Sequence, residues 1–316
     1  MSNRILVIGA GGQLGTELVQ ALAADPATAE IHAADLRHLA LGVPSLELDV
    51  VDKRAVFDIV DRLRPTHIYH LAAILSAAGE RNPALAWQVN LDGLMNVLDA
   101  AVAHQVRQVF WPSSIAAFGP NTPRQHTPQH CTMDPNTVYG ITKLTGERLV
   151  EYYHARFDLD VRSLRYPGLI SWKTEPGGGT TDYAIHIFHE AIRTGNYLCF
   201  LEANTRLPMM YIPDAVKATL DLMAAPAKAL TVWSSYNLGA ISFTPAELAA
   251  EIERLQPGFT IEYAPDFRQQ IATSWPESID DSQARADWGW AHTFGLEAMA
   301  RDMYTHLKQS RGAQVH

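Results

Sequence analysis

The most informative part of the sequence lies near its beginning: Arg4-Ile5-Leu6-Val7-Ile8-Gly9-Ala10-Gly11-Gly12-Gln13-Leu14-Gly15. A short apolar run that stops at a glycine is typical of a buried β-strand. After the glycines, leucines recur at every fourth position from residue 14 to residue 22, which predicts a helix with one apolar face. The segment therefore predicts a strand, a tight glycine turn and a helix.

The spacing of the glycines points to an anion site in this turn. Gly9, Gly12 and Gly15 form the pattern G-x-x-G-x-x-G. Glycines at these positions allow a tight turn and let backbone N–H groups approach a pyrophosphate at the positive end of the following helix. Because a plain strand-to-helix turn also collects glycines, the pattern needs support from elsewhere in the chain.

That support comes from Asp35, which ends the second apolar run, 20 residues after Gly15. An acid at this distance can accept hydrogen bonds from the ribose hydroxyls of a dinucleotide. Its charge would repel the 2′-phosphate of NADP, so we expect NAD, although Arg37 could accommodate that phosphate. Asp49 and Val50, after the third run, are candidates near the adenine, against the alternative that Asp49 only caps a loop.

Short apolar runs alternate with helix-type segments through the first 170 residues. We predict strands at Arg4–Ile8, Glu30–Ala34, Ser45–Asp49, His67–Ala72, Gln108–Trp111 and Val161–Tyr166. Between two of them, Asp52–Leu63 places its apolar residues on one helical face, and Arg64-Pro65 ends that segment. Alternation of this kind predicts a Rossmann-type α/β fold, a doubly wound parallel sheet with helices on both faces.

From about residue 171 the pattern becomes mixed. The stretch Pro176-Gly177-Gly178-Gly179-Thr180-Thr181 precedes a helical segment whose apolar residues recur between Ala184 and Ile192. Further helices are predicted at Pro213–Ala225, Pro245–Leu255 and Leu296–Leu307, and strands at Tyr197–Leu201 and Thr260–Tyr263. We expect residues 1–170 to form a nucleotide-binding domain and residues 171–316 mainly a smaller α/β lobe, with some later segments returning to the first sheet.

The composition fits a globular enzyme and excludes several other classes. Of 316 residues, 47% are hydrophobic and 19% are charged, unlike a disordered chain. The net charge of −9 argues against nucleic-acid or anionic-membrane partners, which need a basic surface. Cys131 and Cys199 cannot form a disulfide framework, and no apolar run is long enough for a signal segment or a membrane span. We therefore expect a cytoplasmic protein.

A tyrosine and a lysine one helical turn apart are the first candidates for chemistry. Tyr139 and Lys143 form the pattern Y-x-x-x-K, which on a helix places both side chains on one face. A free phenol titrates near ~10, but an adjacent ammonium favours the phenolate and would make Tyr139 a workable acid and base. Such a pair alone is more often a surface contact.

Two serines support a catalytic role for this tyrosine–lysine pair. Ser113 and Ser114 follow the fifth predicted strand, at the edge where open α/β sheets place their chemistry. A hydroxyl there can bond the reacting oxygen beside the tyrosine. Together with the glycine turn, the arrangement favours an active site over a surface pair.

These motifs resemble the extended short-chain dehydrogenase/reductase family. The resemblance rests on the glycine turn, His70-Leu71-Ala72-Ala73, Val89-Asn90-Leu91-Asp92-Gly93, Pro112-Ser113-Ser114, the Tyr139/Lys143 pair and Tyr211-Ile212-Pro213-Asp214, and it covers essentially the whole chain. Within the family the sequence is most similar to the epimerase-like L-threonine 3-dehydrogenases. That similarity is carried by Arg165-Tyr166-Pro167-Gly168-Leu169-Ile170-Ser171, Pro176–Tyr183, Thr205–Tyr211 and Ser274–Ser282.

The resemblance implies NAD-dependent oxidation of the 3-hydroxyl of L-threonine to 2-amino-3-oxobutanoate. It implies that Tyr139 takes the hydroxyl proton, that Lys143 lowers the pKa of Tyr139 and holds the nicotinamide ribose, and that Ser114, in preference to Ser113, bonds the substrate oxygen. Contacts to NAD are expected from Gly9, Gly12, Gln13, Leu14, Gly15, Asp35, Arg37, Asp49, Val50, Leu71, Ala72, Ala73, Asn90, Ser113, Tyr139, Lys143 and Tyr166.

The resemblance also suggests where the substrate binds. The family's substrate loop corresponds to Ile74–Ala77, which makes Ser76 a candidate for the substrate carboxylate. Gly179, Thr180 and Thr181 are further candidates, since hydroxyl and backbone N–H groups there could receive an anion. A simple cap or turn is the competing explanation of each. The glycines of residues 177–179 would suit a lid over a small substrate, or an ordinary flexible loop.

Two other functions stay open. Nucleotide-sugar 4-epimerases of the same family share the hydroxyl, tyrosine and lysine, whereas the related dehydratases need a carboxylate that Ser113-Ser114-Ile115 does not offer. An NAD-sensing binding module would not need Tyr139 and Lys143. The helical segments Pro83–His104 and Asn136–Ala155 resemble those that build a dimer interface in this family, although packing within one chain would also explain their apolar residues.

Thirteen histidines raise the question of a metal. His126 with His130, and His186 with His189, are spaced like ligand pairs, but neither pair has a recognisable third ligand, and H-E-x-x-H does not occur. We therefore expect no metal, and a small molecule as the partner.

Overall fold

The computed structural model describes residues 3–173 and 179–314. The elements up to residue 166 are β1 (Asn3–Ile8), α1 (Gln13–Ala24), β2 (Thr28–Asp35), β3 (Ser45–Glu47), α2 (Lys53–Leu63), β4 (His67–His70), α3 (Ser76–Arg81), α4 (Pro83–Trp87), α5 (Gly93–Ala103), β5 (Gln108–Ser114), α6 (Val138–Phe157) and β6 (Asp160–Tyr166). A π-helical turn, Gln88–Asp92, joins α4 to α5, and a 3₁₀ turn, Ile115–Ala117, follows β5.

The elements after residue 166 are shorter and mixed. They are β7 (Gly168–Ile170), α7 (Tyr183–Thr194), β8 (Asn196–Cys199), β9 (Leu207–Tyr211), α8 (Ile212–Ala224), β10 (Tyr236–Asn237), β11 (Ile241–Phe243), α9 (Pro245–Leu255), β12 (Thr260–Tyr263), α10 (Phe267–Thr273), α11 (Ser282–Trp288) and α12 (Leu296–Gln314). A 3₁₀ turn, Ala227–Ala229, lies between α8 and β10.

A seven-stranded parallel sheet in the order β10-β6-β5-β4-β1-β2-β3 forms the centre of the molecule. Alternate side chains of β1 point to opposite faces, as strand geometry requires. Leu6 and Ile8 belong to the core that includes α2, α5 and α6, while Ile5 and Val7 belong to the core that includes α1 and α8. The sheet is thus buried on both faces, and the prediction of a doubly wound Rossmann-type fold is confirmed.

Later segments build two small sheets and also return to the large one. The small sheets have the orders β11-β9-β7 and β12-β8. Strand β10 pairs with β6 through Tyr236 and Leu164, so residues beyond 170 complete the edge of the nucleotide-binding sheet. The division of the chain at residue 170 stays a prediction.

Several predicted element ends were wrong. The strand predicted to end at Trp111 continues to Ser114, and the strand predicted to end at Ala72 stops at His70. β5 can contain Pro112 because its pairing with β4 ends at Phe110, so the missing N–H falls where no strand is paired on that side. Among the described residues, every helix is too short or too polar to cross a lipid bilayer.

Candidate active site

The glycine turn after β1 brings several backbone segments into close approach. Gly9 has a φ of +80°, and a Cβ there would lie 2.5 Å from the backbone N of Ala72. A Cβ on Gly15 would lie 2.5 Å from the carbonyl oxygen of Gly9, whereas a Cβ on Gly12 would meet nothing closer than 3.4 Å. Glycine is therefore required sterically at positions 9 and 15, while Gly12 has room for a methyl group on the side of the cavities.

Two cavities meet over this turn. One, of about 420 Å³, is lined by Asp35, Arg37, Asp49, Val50 and Ala72, among others. The other, of about 250 Å³, is lined by Gln13, Leu14, Gly15, Ser113, Ser114, Tyr139, Lys143 and Tyr166, among others. The two cavities share Gly9, Gly12, Leu71 and Ala73 on their walls. The result is one elongated cleft with an acid at one end, a glycine turn in the middle and the tyrosine–lysine pair at the other end.

This cleft has the chemistry that a dinucleotide needs. The Asp35 carboxylate accepts from the backbone N–H of Gly11 at 2.9 Å and from that of Leu36 at 2.8 Å, which fixes it beside the glycine turn. Open lone pairs on such a carboxylate can still accept from ribose hydroxyls. The residues present therefore fit a dinucleotide.

Three of the predicted cofactor residues direct their polar groups elsewhere. The Asn90 amide bonds the backbone of Ile74, at 2.8 and 3.1 Å, and donates to Thr142 Oγ1 at 3.1 Å. The Tyr166 hydroxyl bonds the hydroxyl of Thr219. Ser113 Oγ donates to Glu147 Oε1 at 2.6 Å. Contacts of these three residues with NAD stay predictions, and their side-chain bonds fix the shape of the site.

Helix α6 presents the tyrosine and the lysine. Thr137 caps its N-terminus by accepting from the backbone N–H of Gly140 at 3.1 Å. A Cβ on Gly140 would lie 2.2 Å from the carbonyl oxygen of Ala116, so the helix packs directly on the turn after β5. Tyr139 and Lys143 consequently face the carboxyl end of β5.

Burial shifts the pKa values of both Tyr139 and Lys143 away from those of free side chains. Burial raises the pKa of Tyr139 to about 12, opposed by a hydrogen bond with Ser114. Burial lowers the pKa of Lys143 to about 7, opposed by the carboxylate of Glu147. Lys143 Nζ donates to the carbonyl oxygen of Pro112 at 2.6 Å. Burial therefore dominates the pKa of both groups, and the lowering of the Tyr139 pKa by Lys143 stays a prediction.

The candidate substrate residues line the smaller cavity opposite Tyr139. Ser76 Oγ and Thr180 Oγ1 are 3.3 Å apart, and both side chains are buried. Gly179 and Thr181 line the same wall. Of the glycines predicted to form a lid, Gly177 and Gly178 lie outside the described residues.

The sequence analysis missed three residues of this region. Trp275 and Asp182 line the smaller cavity, and Asp182 accepts from the backbone N–H of Gly179 at 2.7 Å. Glu147 is fully buried one helical turn after Lys143. The spacing of Tyr139, Lys143 and Glu147, four residues at each step, was a usable signal, whereas Trp275 could be noticed only as part of the stretch Ser274–Ser282 that carries the family similarity.

Within residues 3–173 and 179–314, no three His, Cys, Asp or Glu side chains are grouped closely enough to hold an ion.

Comparison with known proteins places this geometry in a family. The sequence matches the NAD dependent epimerase/dehydratase family over residues 5–239. The chain belongs to this family. Its cofactor is therefore NAD, as predicted.

Individual relatives cover nearly the whole chain. A bovine (Bos taurus) protein named mitochondrial L-threonine 3-dehydrogenase is 46% identical over 99% of this chain and 85% of its own length. The solved holo structure of a GalE-like L-threonine dehydrogenase from Cupriavidus necator has a TM-score of 0.94 and 50% identity, covering 96% of this chain and 100% of that one. A structure described as a monomeric L-threonine 3-dehydrogenase from a metagenome has a TM-score of 0.94 and 47% identity, covering 97% and 99%.

Proposed function

We propose that this protein is an NAD-dependent L-threonine 3-dehydrogenase that oxidises L-threonine to 2-amino-3-oxobutanoate. The observation that carries the proposal is the smaller cavity, which is lined both by Tyr139, Lys143 and Ser114 and by Ser76 and Thr180. The first group of residues offers acid–base chemistry, and the second offers hydrogen-bond donors for a small polar substrate. The names of the similar proteins support the same substrate.

The roles of the residues follow from their positions. Ser76, Thr180 and Thr181 bind the amino-acid end of the substrate, with Gly179 contributing backbone. Ser114 holds the 3-hydroxyl, and Tyr139 removes its proton while the hydride leaves C3. NAD, when bound, supplies the hydride acceptor and a positive charge close to the phenol. Lys143 holds the cofactor ribose and stabilises the phenolate by charge.

The test is an absorbance assay with purified protein, L-threonine and NAD. We expect NADH to form with L-threonine and NAD, and far less with NADP, because Asp35 would face the 2′-phosphate. L-allo-threonine is the stereochemical control. No NADH from L-threonine, together with conversion of UDP-galactose to UDP-glucose in a coupled glucose assay, would contradict the proposal and favour a 4-epimerase.

The organisation of the molecule forms part of the same proposal. Residues 1–170 bind NAD and residues 171–316 mainly bind substrate, with β10 returning to the large sheet. The protein works in the cytoplasm, which is supported by its two cysteines, too few for a disulfide framework. It forms a homodimer through α4, α5 and α6, which is supported by exposed apolar side chains on these helices, including Trp87, Met95 and Tyr152.

A further inference from the structure

Behind the tyrosine–lysine pair lies a buried charged network that the proposed mechanism does not use. Glu147, on α6, accepts from Arg165 Nε at 2.8 Å and from Arg165 Nη2 at 2.7 Å. The same carboxylate accepts from Ser113 Oγ at 2.6 Å. Both charged side chains are essentially inaccessible, 0% exposed for Glu147 and 2% for Arg165. A buried ion pair is weak evidence for stability, because desolvation offsets the attraction, so its position calls for another explanation.

The network is anchored from several elements. Arg165, on β6, also donates through Nη1 to the carbonyl oxygen of Gln129 and to Asn237 Oδ1, both at 2.9 Å. Asn237 belongs to β10, so the carboxylate is held by the nucleotide-binding sheet and by the strand that returns to it. Glu147 therefore has one orientation, fixed by three charge-assisted hydrogen bonds.

Within α6, Lys143 is the charged residue one helical turn before this carboxylate. The two residues are four apart, which places them on one face of the helix, about 5–6 Å between Cβ atoms. The Lys143 ammonium is itself buried, with Nζ 4.6 Å from the centre of the Trp111 ring and bonded to the Pro112 carbonyl. Neither an aromatic ring nor a carbonyl supplies a full negative charge, so the lysine depends on a carboxylate to remain charged in this environment.

The other titratable groups near Lys143 do not supply that negative charge. His70, at the end of β4, is buried, and burial together with Lys143 lowers its pKa to about 3. The Tyr139 phenol on α6 is neutral at ordinary pH, since burial raises its pKa to about 12. Arg165 is a cation, and its guanidinium is paired with Glu147.

We propose that Glu147 is a positioning residue for Lys143: its buried carboxylate, fixed by Arg165 and Ser113, keeps the Lys143 side chain in the ammonium form that holds the cofactor ribose and stabilises the Tyr139 phenolate. This inference rests on the proposed function, because it assumes that Tyr139 and Lys143 are the catalytic pair. Burial lowers the pKa of Lys143 to about 7, and the Glu147 carboxylate opposes this shift. Loss of the carboxylate would remove the charge that opposes burial, so Lys143 would lose its proton at a lower pH than in the wild type.

The experiment compares pH profiles of three variants with the wild type. Glu147→Gln removes the charge and keeps an oxygen for Ser113. The double variant Glu147→Gln/Arg165→Met also removes the cation that the single variant leaves unpaired, in case that variant does not fold. Glu147→Asp keeps the charge and is the matched control. For each protein, kcat/KM for L-threonine and the dissociation constant of NADH, from its fluorescence, are measured between pH 5 and pH 10.

We expect the alkaline loss of both quantities to move down by about 1–3 pH units when the carboxylate is removed. Glu147→Asp should keep the alkaline limb of the wild type, even with a lower kcat. A loss of activity that is the same at every pH, with an unmoved NADH profile, would overturn the proposal and assign Glu147 a structural role. If the wild type does not oxidise L-threonine, the proposed function fails, and the NADH profiles still decide the role of Glu147.

Discussion

At the scale of single residues, the structure gives two neighbouring serines at the end of β5 different hydrogen-bond partners. Ser113 and Ser114 are neighbours, yet Ser113 bonds the buried Glu147 and Ser114 bonds Tyr139. The preference for Ser114 therefore has a physical basis, because only its hydroxyl is next to the phenol. β5 produces this difference by alternating its side chains between the two faces of the sheet.

Replacement of Tyr139 by phenylalanine tests the assignment of the base. The variant keeps the ring that packs against the site and loses only the oxygen that takes the proton. We expect kcat to fall by about 10²–10⁴-fold, the usual contribution of a positioned acid–base group, while NADH binding is nearly unchanged. Tyr152→Phe, at an exposed tyrosine of the same helix, is the control and should behave like the wild type. Full activity of Tyr139→Phe would show that another group is the base.

His70 predicts how stability depends on pH. Its pKa is about 3 in the folded protein and near 6.5 in an unfolded chain, so between these values only the unfolded state binds the proton. The stability from this group is therefore present above pH 6.5 and is lost as the pH falls towards 3, by up to about 1.4 kcal/mol per pH unit.

The matched variant is His70→Leu, because neither ring nitrogen has a hydrogen-bond partner among the described residues. Urea unfolding at several pH values gives the free energy of unfolding for both proteins. We expect the wild type to lose stability relative to His70→Leu between pH 6.5 and pH 4. A difference that does not change with pH would contradict the buried, neutral state of His70.

At the scale of elements, the N-terminus of α6 links folding to chemistry. Thr137 caps α6 just before Tyr139. Thr244 caps α9, a helix much later in the sequence, and the Glu247 carboxylate there accepts from the backbone N–H of Thr244. Each change to alanine should cost about 1 kcal/mol of unfolding free energy. Only Thr137→Ala should also lower kcat, because fraying of the first turn displaces Tyr139. Equal kcat values for the two variants would show that the cap of α6 does not influence the active site.

The elements also show what a single sequence can predict. The glycine turn and Asp35 could be placed because their spacing follows from local geometry, and the structure brings both to one cleft. The end of β5 could not be predicted, because Pro112 normally indicates a turn. A proline is tolerated in this strand because the pairing of β5 with β4 has already ended at Phe110. The π-helical turn at Gln88–Asp92, predicted as ordinary helix, depends on Asn90 reaching Ile74 and Thr142, contacts that no local pattern reveals.

At the scale of the whole molecule, the lobe after residue 170 was the least predictable part. Its strands β10 and β11 have only two and three residues, too few to show the alternation of apolar and polar side chains that is typical of a strand. They exist because distant segments offer partners, as when β10 adds to β6. Trp275 and Asp182 belong to the site for the same reason: their positions come from tertiary packing.

The oligomeric state gives the last prediction. Trp87 on α4, Met95 on α5 and Tyr152 on α6 are each more than two-fifths exposed, although large apolar side chains are usually buried. If these helices pair with a second copy, sedimentation equilibrium should give twice the mass of the chain. Met95→Glu should give the monomer mass, because an unpaired carboxylate would be buried in the interface. Leu198→Glu, at an exposed leucine of β8, should leave the dimer intact. A wild type that sediments as a monomer, like the metagenomic relative described as monomeric, would contradict the dimer and show that the active site is complete within one chain.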